Sequence, residues 1–302
     1  MHVYLPIAEL SEPAWLLIAL GYITGIISGL FGVGGGFILT PFLIFLGINP
    51  AVAVATSACQ IVASSFSGFL HHWKHKKVDT QMGNLLVIGG AIGGILGIVI
   101  FNALKRTGQA DITITIMYIT LLGIISIFML KEAIHLIRAQ ECDASTPYFT
   151  FVWVEKLPLQ ITFAKSHVTH SLLLPIAIGL IVGLLVSLMG VGGGFILIPA
   201  MAYMLRMPSS VIVGTSLYQM IFITAMVTML HALATQTVDM VLACLLLVGS
   251  VVGAQMGARW SHHIPHAYNR LILACLLMLV LSKLTYGLFA VPDELYAIME
   301  RG

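Results

Sequence analysis

Two glycine-rich runs are the residues of this chain whose types and spacing most favour binding chemistry. GVGGGFILTP covers residues 32–41 and GVGGGFILIP covers residues 190–199, and nine of the ten positions are identical. Glycine lets backbone N–H groups face a concavity that no side chain fills, and a helix start adds partial positive charge there. Each run therefore predicts a helix start that binds an anion. The candidate substrate-binding residues in the runs are Gly32, Gly34, Gly35, Gly36, Phe37, Gly190, Gly192, Gly193, Gly194 and Phe195.

A short apolar segment follows each glycine run. Residues 37–48 would form a helix of about 18 Å, whereas the hydrocarbon core of a bilayer is about 30 Å thick. A helix that begins inside the membrane must pair its first N–H groups with protein, water or an anion. Close helix packing is the alternative explanation of the glycines in the runs. It is the predicted role of the glycines at four-residue spacing, which are Gly89, Gly93 and Gly97 and the matched Gly249, Gly253 and Gly257. A nucleotide-binding phosphate loop is excluded, because nothing here reads as the strand–loop–helix unit that such a loop requires.

Polar side chains follow each run on the next apolar segment. Gln60 lies four residues after Thr56 and three after Ser57, so it shares a helix face with each of them. The same pattern recurs at Thr215, Ser216 and Gln219. Polar side chains in membrane helices usually turn inward, and an amide can hold an anion without a buried charge. The six residues are predicted to bind substrate, with hydrogen bonding between helices as the alternative.

The composition indicates the class of protein that positions these residues. Of 302 residues, 59% are hydrophobic and 9% are charged, whereas soluble domains carry about 25% charged residues. The chain is predicted to be an all-α polytopic membrane protein of the cell inner membrane, because several of its apolar runs reach the ~20 residues that span a bilayer. The net charge of +2 is too small to indicate a nucleic-acid partner. Ten apolar segments are predicted, at roughly 13–31, 36–48, 50–71, 81–104, 111–137, 170–189, 194–205, 208–231, 239–260 and 266–290.

The similarity between the two halves extends beyond the glycines. Pro50 matches Pro208, and after short insertions Asp79 matches Asp239. The sequence therefore predicts a first repeat at 13–137, a cytoplasmic connecting loop at 138–169 and a second repeat at 170–290. Within the loop, the runs FTFVWV and LQITF predict a strand pair or an interfacial segment. Two units of about five segments each must face opposite ways, which is the inverted-repeat design of many secondary transporters. Inversion is expected to bring the two glycine-led helix starts toward each other near the middle of the membrane.

The basic residues indicate the orientation. If the short second segment returns the chain to the side where it began, ten basic residues share one side: Lys74, Lys76, Lys77, Lys131, Arg138, Lys156, Lys165, Arg206, Arg259 and Arg270. Lys105, Arg106 and Arg301 share the other, and Lys283 lies within the last segment. Without that return the split is eight to five. Because cytoplasmic loops are enriched in Lys and Arg, we expect the larger group to be cytoplasmic and both termini to lie outside the cytoplasm.

The remaining polar residues favour structural roles. Asp79, Asp111 and Asp239 begin predicted helices and are interpreted as N-caps. His72 and His231 are matched positions at opposite membrane ends, which makes them candidates for gating or pH sensing, with helix-end packing as the alternative. The spacing of the four cysteines predicts no metal site. We expect neither a metal nor a cofactor.

The glycine runs, the F-I-L-x-P that follows them, the T-S-x-x-Q continuation and the repeat resemble the sulfite exporter TauE/SafE family over residues 15–290. The resemblance implies a membrane carrier, not an enzyme, for small sulfur-containing anions such as sulfite or organosulfonates, moved out of the cytoplasm. An anion channel or an uptake carrier for another small anion is the alternative. The halves differ where Thr40 is matched by Ile198, so their half-sites need not be chemically equal. Assembly into a homo-oligomer is left open.

Overall fold

A computed structural model of the chain describes residues 2–108, 110–138, 160–163, 168–260 and 266–289. The described residues form ten helices: α1 (Ala14–Phe31), α2 (Gly36–Phe45), α3 (Pro50–Lys74), α4 (Thr80–Arg106), α5 (Ala110–Arg138), α6 (Leu173–Met189), α7 (Gly194–Tyr203), α8 (Ser209–Ala234), α9 (Met240–Trp260) and α10 (His266–Phe289). Each helix lies within one of the ten predicted apolar segments or exceeds it by a few residues. The prediction of a helical polytopic protein is confirmed.

In the described part of the chain, six helical stretches are long and apolar enough to cross a membrane. They lie at Ala14–Phe31, Pro50–Lys74, Thr80–Arg106, Ile112–Lys131, Val211–Ala234 and Met240–Trp260. Large apolar side chains such as Val99, Ile124 and Leu279 are exposed on the outside of the bundle, where lipid would cover them. The helices α2, α6 and α7 and the apolar stretch Leu271–Gly287 of α10 are shorter.

Each half begins with a β-hairpin that precedes its first helix. In the first, β1 (His2–Leu5) pairs antiparallel with β2 (Leu10–Pro13). In the second, β3 (Gln160–Phe163) pairs antiparallel with β4 (Val168–Ser171). The offset between the two hairpins is 158 residues, as it is between the glycine runs. The sequence predicted a strand pair or an interfacial segment at FTFVWV and LQITF. LQITF contains the strand β3, whose partner is β4, and FTFVWV lies outside the described residues. The first hairpin was not predicted.

Matched helices of the two halves have matched neighbours. Helix α1 packs along α9, and its counterpart α6 packs along α4, the counterpart of α9. The glycines make these contacts close: a methyl group on Gly21 would lie 2.3 Å from the carbonyl oxygen of Leu246, and one on Gly93 2.0 Å from that of Leu180. The packing role predicted for the glycines at four-residue spacing is confirmed, because such groups would meet backbone atoms.

Helices α3 and α8 lie against each other in the middle of the bundle and run antiparallel. Ser65 Oγ lies 3.8 Å from Met220 Sδ, and a methyl group on Gly68 would lie 3.2 Å from Cδ1 of Leu217. A later residue of α3 therefore meets an earlier residue of α8. This order of contacts makes the two helices antiparallel, although they occupy matched positions in the two halves. The orientation of the two halves in a membrane stays a prediction.

The short helix α2 brings the chain back toward the beginning of α1. After α2 ends, Gly47 lies beside Leu10, which precedes α1 in the first hairpin. Leu5, Leu17 and Leu43 also belong to one buried cluster. In the other half Leu174, near the start of α6, and Leu205, just after α7, share a second buried cluster. Each short helix is therefore folded against the helix before it, with its glycine-led start toward the middle of the protein.

Candidate functional site

The glycines of each run hold a backbone conformation that other residues rarely adopt. Gly32, Gly34 and Gly35 have φ values of 68°, 90° and 67°. The matched glycines Gly190, Gly192 and Gly193 have values of 65°, 79° and 74°. A left-handed backbone at three of four successive residues is costly for any residue with a Cβ atom. This geometry ends the preceding helix and starts the short one, and no side chain caps the N-terminus of α2 or α7.

The two runs touch each other at the start of the short helices. A methyl group on Gly36 would lie 2.5 Å from the carbonyl oxygen of Gly190, and one on Gly194 would lie 2.7 Å from Cα of Val33. The rings of Phe37 and Phe195 have their centroids 6.2 Å apart. The predicted meeting of the two helix starts is confirmed. The positive ends of two helix dipoles therefore converge at one buried place.

Two apolar side chains that the sequence analysis did not single out fill the space beside the runs. A methyl group on Gly36 would lie 2.3 Å from Cδ1 of Ile61, and one on Gly194 would lie 1.9 Å from Cε of Met220. Ile61 follows Gln60 and Met220 follows Gln219, so they are matched positions as well. Extending the repeat alignment by one residue would have paired them. The concave side of each run is occupied by a side chain in this conformation.

The two glutamines have buried side-chain amides that form no hydrogen bond with the described residues. Gln60 and Gln219 are both 0% exposed. Neither the Oε1 nor the Nε2 atom of either side chain has a hydrogen-bond partner among the described residues. The amide of Gln219 faces α4, since a methyl group on Gly90 would lie 3.1 Å from its Nε2. A buried amide without a partner costs about 1–3 kcal/mol, as judged from protein mutations, so these groups fit a site that a polar ligand completes.

The neighbouring threonines have partners in the opposite half. Thr56 Oγ1 accepts a hydrogen bond from the backbone N–H of Asp239 at 3.2 Å, and Thr215 Oγ1 accepts one from the N–H of Asp79 at 3.0 Å. These bonds join each half to the first turn of a helix in the other. They give the threonine hydroxyls a structural role beside the predicted one in substrate binding.

The serines of the two halves are not equivalent. Ser216 Oγ lies 2.8 Å from the carbonyl oxygen of Val213 and 3.2 Å from that of Gly32, so it contacts the first glycine run. Ser57 Oγ is buried and has no partner among the described residues. Among the described residues, Ser57 and Gln60 therefore both lack side-chain hydrogen-bond partners. At the matched positions Gln219 lacks them and Ser216 does not.

Two of the three predicted N-caps are confirmed. Asp79 Oδ1 accepts from the N–H groups of Gln81 and Met82, at the start of α4. Asp239 Oδ1 accepts in the same way from Val241 and Leu242, at the start of α9. Asp111 is instead the second residue of α5, which begins at Ala110.

The two histidines lie away from the glycine runs. His231 is 0% exposed, with Nε2 3.0 Å from the carbonyl oxygen of Ser187 and Nδ1 3.2 Å from Oγ1 of Thr235. Its ring also packs edge-to-face against Phe101, with centroids 4.8 Å apart. His72 is 6% exposed, near the end of α3. These contacts fit helix-end packing, and gating stays a prediction. The described residues contain no group of three or more metal-binding side chains.

The family comparison agrees with this arrangement of duplicated glycine runs. The model of the family described as "Sulfite exporter TauE/SafE" matches residues 17–284, nearly the whole chain. The chain belongs to the TauE/SafE family. It is therefore a multi-pass membrane transporter, and the membership indicated by the duplicated motifs is confirmed.

Two relatives from Bacillus subtilis cover most of this TauE/SafE protein. The probable membrane transporter protein YunE of Bacillus subtilis is 27% identical over 288 residues, which are 91% of this chain and 98% of that protein. YjnA of the same organism, with the same description, is 29% identical over 271 residues, 89% and 98% of the two chains. Sulfite exporter TauE/SafE family protein 3 of Arabidopsis thaliana is 32% identical over 98 residues, which are 32% of this chain and 21% of that protein. No solved structure matches the chain.

Proposed function

We propose that this TauE/SafE transporter moves small sulfur-containing oxyanions, sulfite or an organosulfonate, out of the cytoplasm. The observation that carries the proposal is the pair of buried, unpartnered amides of Gln60 and Gln219, one in each half. Each is followed directly by the side chain that packs on the glycine runs, Ile61 or Met220. Two polar groups that a folded protein keeps buried and unpaired at matched positions support a ligand that supplies the missing partners.

The chemistry of these groups favours a small oxyanion. The amide Nε2 of a glutamine donates two hydrogen bonds, and sulfite or a sulfonate offers several acceptor oxygens. The converging helix starts add positive potential without a buried cation. On this proposal the ligand is held by Gln60 and Gln219, by the hydroxyl of Ser57 and by backbone N–H groups of the two glycine runs. The hydroxyls of Thr56, Thr215 and Ser216 hold the surrounding backbone in place through their own hydrogen bonds.

Transport then requires the runs to separate. In the conformation described here they are in van der Waals contact, and Ile61 and Met220 lie against them. A substrate between the halves replaces these contacts, and the antiparallel pair α3 and α8 supports a mechanism in which one half moves against the other. Inverted halves give the site two equivalent exits, one on each side of the membrane. The anion leaves chemically unchanged, so the protein is proposed to be a carrier and not an enzyme.

The proposed setting is the cell inner membrane, with both termini outside the cytoplasm. An inside-negative potential contributes about 2.3 kcal/mol per charge per 100 mV to the exit of an anion, so export needs little further coupling. Cysteine labelling tests the orientation. A cysteine at position 76 or 156 should react from the cytoplasmic side, and one near either terminus from outside. Cytoplasmic termini would contradict the inverted arrangement.

A flux assay in proteoliposomes tests the substrate and separates a carrier from a channel. The panel comprises sulfite, thiosulfate, sulfate, sulfoacetate and chloride, each added to the inside or the outside. We expect saturable movement of sulfite or an organosulfonate, with chloride much slower. Flux that rises linearly with concentration would favour an anion channel, and preferred movement of a sulfur-free anion would favour the uptake-carrier alternative.

A further inference from the structure

A second polar region lies away from the glycine runs, at the C-terminal ends of α4 and α8. It is a cavity of about 330 Å³ that opens to the surface, lined by Asn102, Lys105, Arg106, Ala234 and Thr235, and the side chains of Lys105 and Arg106 are exposed. Since a water molecule occupies about 30 Å³ in the liquid, the cavity has room for a small oxyanion together with several waters. Four of its five lining side chains are polar, and none of them is acidic.

The charge of the cavity selects an anion. Lys105 Nζ donates a hydrogen bond of 2.9 Å to the backbone carbonyl of Thr235, the residue that follows α8. This bond holds the ammonium group at the cavity, and a neutral carbonyl leaves its positive charge uncompensated. Arg106 adds a guanidinium group, whose planar donors match a pair of oxyanion oxygens. Asn102 contributes a neutral amide donor.

A hydrogen-bonded chain leads from the cavity toward the second glycine run. Thr235, which lines the cavity, bonds through Oγ1 to Nδ1 of His231 at 3.2 Å. The other ring nitrogen of His231 lies 3.0 Å from the carbonyl oxygen of Ser187, and Ser187 precedes Gly190 by three residues. One buried side chain therefore connects the wall of the cavity to the end of α6, from which the glycine run begins.

We infer that this cavity, which we call the vestibule, is a second anion-binding site at one mouth of the protein, where it binds the transported oxyanion on the side to which the anion is exported. The inference rests on the proposed function for the identity of the anion. In the predicted orientation, Lys105 and Arg106 are two of only three basic residues on the non-cytoplasmic side. Basic residues there oppose the usual charge bias of membrane proteins, and a site that attracts an anion accounts for their position.

Chemical protection of Lys105 tests the vestibule without any transport. The purified protein is acylated with an amine-reactive ester, and modified lysines are quantified by mass spectrometry in sodium sulfate and in sodium chloride at equal ionic strength. Sulfate serves as the probe because it is an unreactive oxyanion. Sulfate should slow acylation of Lys105 several-fold and saturably. Lys283 is the control, because it is exposed and lies over the ring of Phe45, 5.1 Å from its centroid. Equal protection of both lysines, or of neither, overturns the inference.

Flux measurements with Arg106→Gln and Lys105→Gln test its part in transport. Removing one charge should raise the half-saturating sulfite concentration on the vestibule side about five-fold, the factor that a unit charge at ~4 Å contributes in water. The maximal rate should be retained, and the difference should fade in high salt. Arg106→Gln keeps the hydrogen bond from Lys105 to Thr235, so an effect of this variant does not come from loss of that bond. Lys283→Gln should leave the half-saturating concentration unchanged. An unchanged half-saturating concentration in both cavity variants refutes the inference. If Lys105 is protected but the wild type moves no sulfur anion, the proposed function fails while the vestibule stands.

Discussion

Replacing the buried glutamines by methionine should raise the stability of the empty protein and abolish its response to the anion. Gln60→Met and Gln219→Met keep the length and approximate volume of the side chain and remove its polar atoms. In the empty protein those atoms have no partners among the described residues. A loss of function coupled to a gain in stability is the signature of a group kept for a ligand.

The magnitude follows from the burial of the amides. A fully buried amide without hydrogen bonds costs about 1–3 kcal/mol relative to an apolar group. A volume-conserving replacement costs less than about 1.5 kcal/mol in repacking. Each methionine variant should therefore be more stable than the wild type without ligand, by about 1 kcal/mol. The wild type should in turn gain about 2.7 kcal/mol at an anion concentration one hundred times its dissociation constant, and the variants should gain almost nothing.

Thermal unfolding of the detergent-purified protein, with and without sulfite, measures both effects. Thr224→Val is the matched control on the same helix, five residues after Gln219. It removes a buried hydroxyl that donates to the carbonyl oxygen of Met220, so it should lower stability by about 0.5–1.5 kcal/mol and keep most of the sulfite response. Methionine variants that are less stable than the wild type and still respond fully to sulfite would refute the reasoning.

Three further predictions concern the scaffold around the site. Gly190→Ala should prevent folding or destabilise severely, because its Cβ would lie 2.3 Å from the carbonyl oxygen of Val54. Gly108→Ala is its control, with a similar φ of 70° and nothing within 4 Å, and should cost only about 1–2 kcal/mol; equal expression of the two variants would argue against tight packing. Asp239→Asn should lower the free energy of unfolding by about 1.5–3 kcal/mol, because the carboxylate also accepts hydrogen bonds from the N–H groups of Ile7 and Ala8. The pH dependence of transport should not change. Loss of proton-driven flux in a well-folded variant would contradict this. His231→Leu should destabilise by about 1–3 kcal/mol through its lost bond to Ser187, and His231→Gln, which can restore a donor there, should recover part of the loss in the same unfolding assay.

The helices and their duplicated order could be predicted from the sequence, because apolar length and glycine punctuation are local signals. The meeting of the glycine runs also followed from the repeat, since matched elements of two related halves are placed symmetrically. The first hairpin was missed because its strands, HVYL and LSEP, lack the alternation of polar and apolar residues that QITF in the second hairpin has.

The contacts of individual side chains were beyond sequence reasoning. Helical spacing placed Thr56 and Gln60 on one face, yet it could not show that the threonine bonds to Asp239 while the glutamine has no partner. Those outcomes depend on residues more than a hundred positions away, in the other half. Ile61 and Met220 were missed for the same reason, because an apolar residue in a membrane helix gives no local sign that it packs on a distant glycine run.

Sulfite flux through the double variant Gln60→Met, Gln219→Met tests the central claim most directly. Initial rates would be measured in proteoliposomes over a range of sulfite concentrations, with wild type and Thr224→Val reconstituted at equal density. The account predicts saturable flux for the wild type and for Thr224→Val, and flux near that of protein-free vesicles for the double variant. A double variant that moves sulfite with the rate and half-saturation of the wild type would contradict the claim that the paired amides and the glycine runs form the transport site.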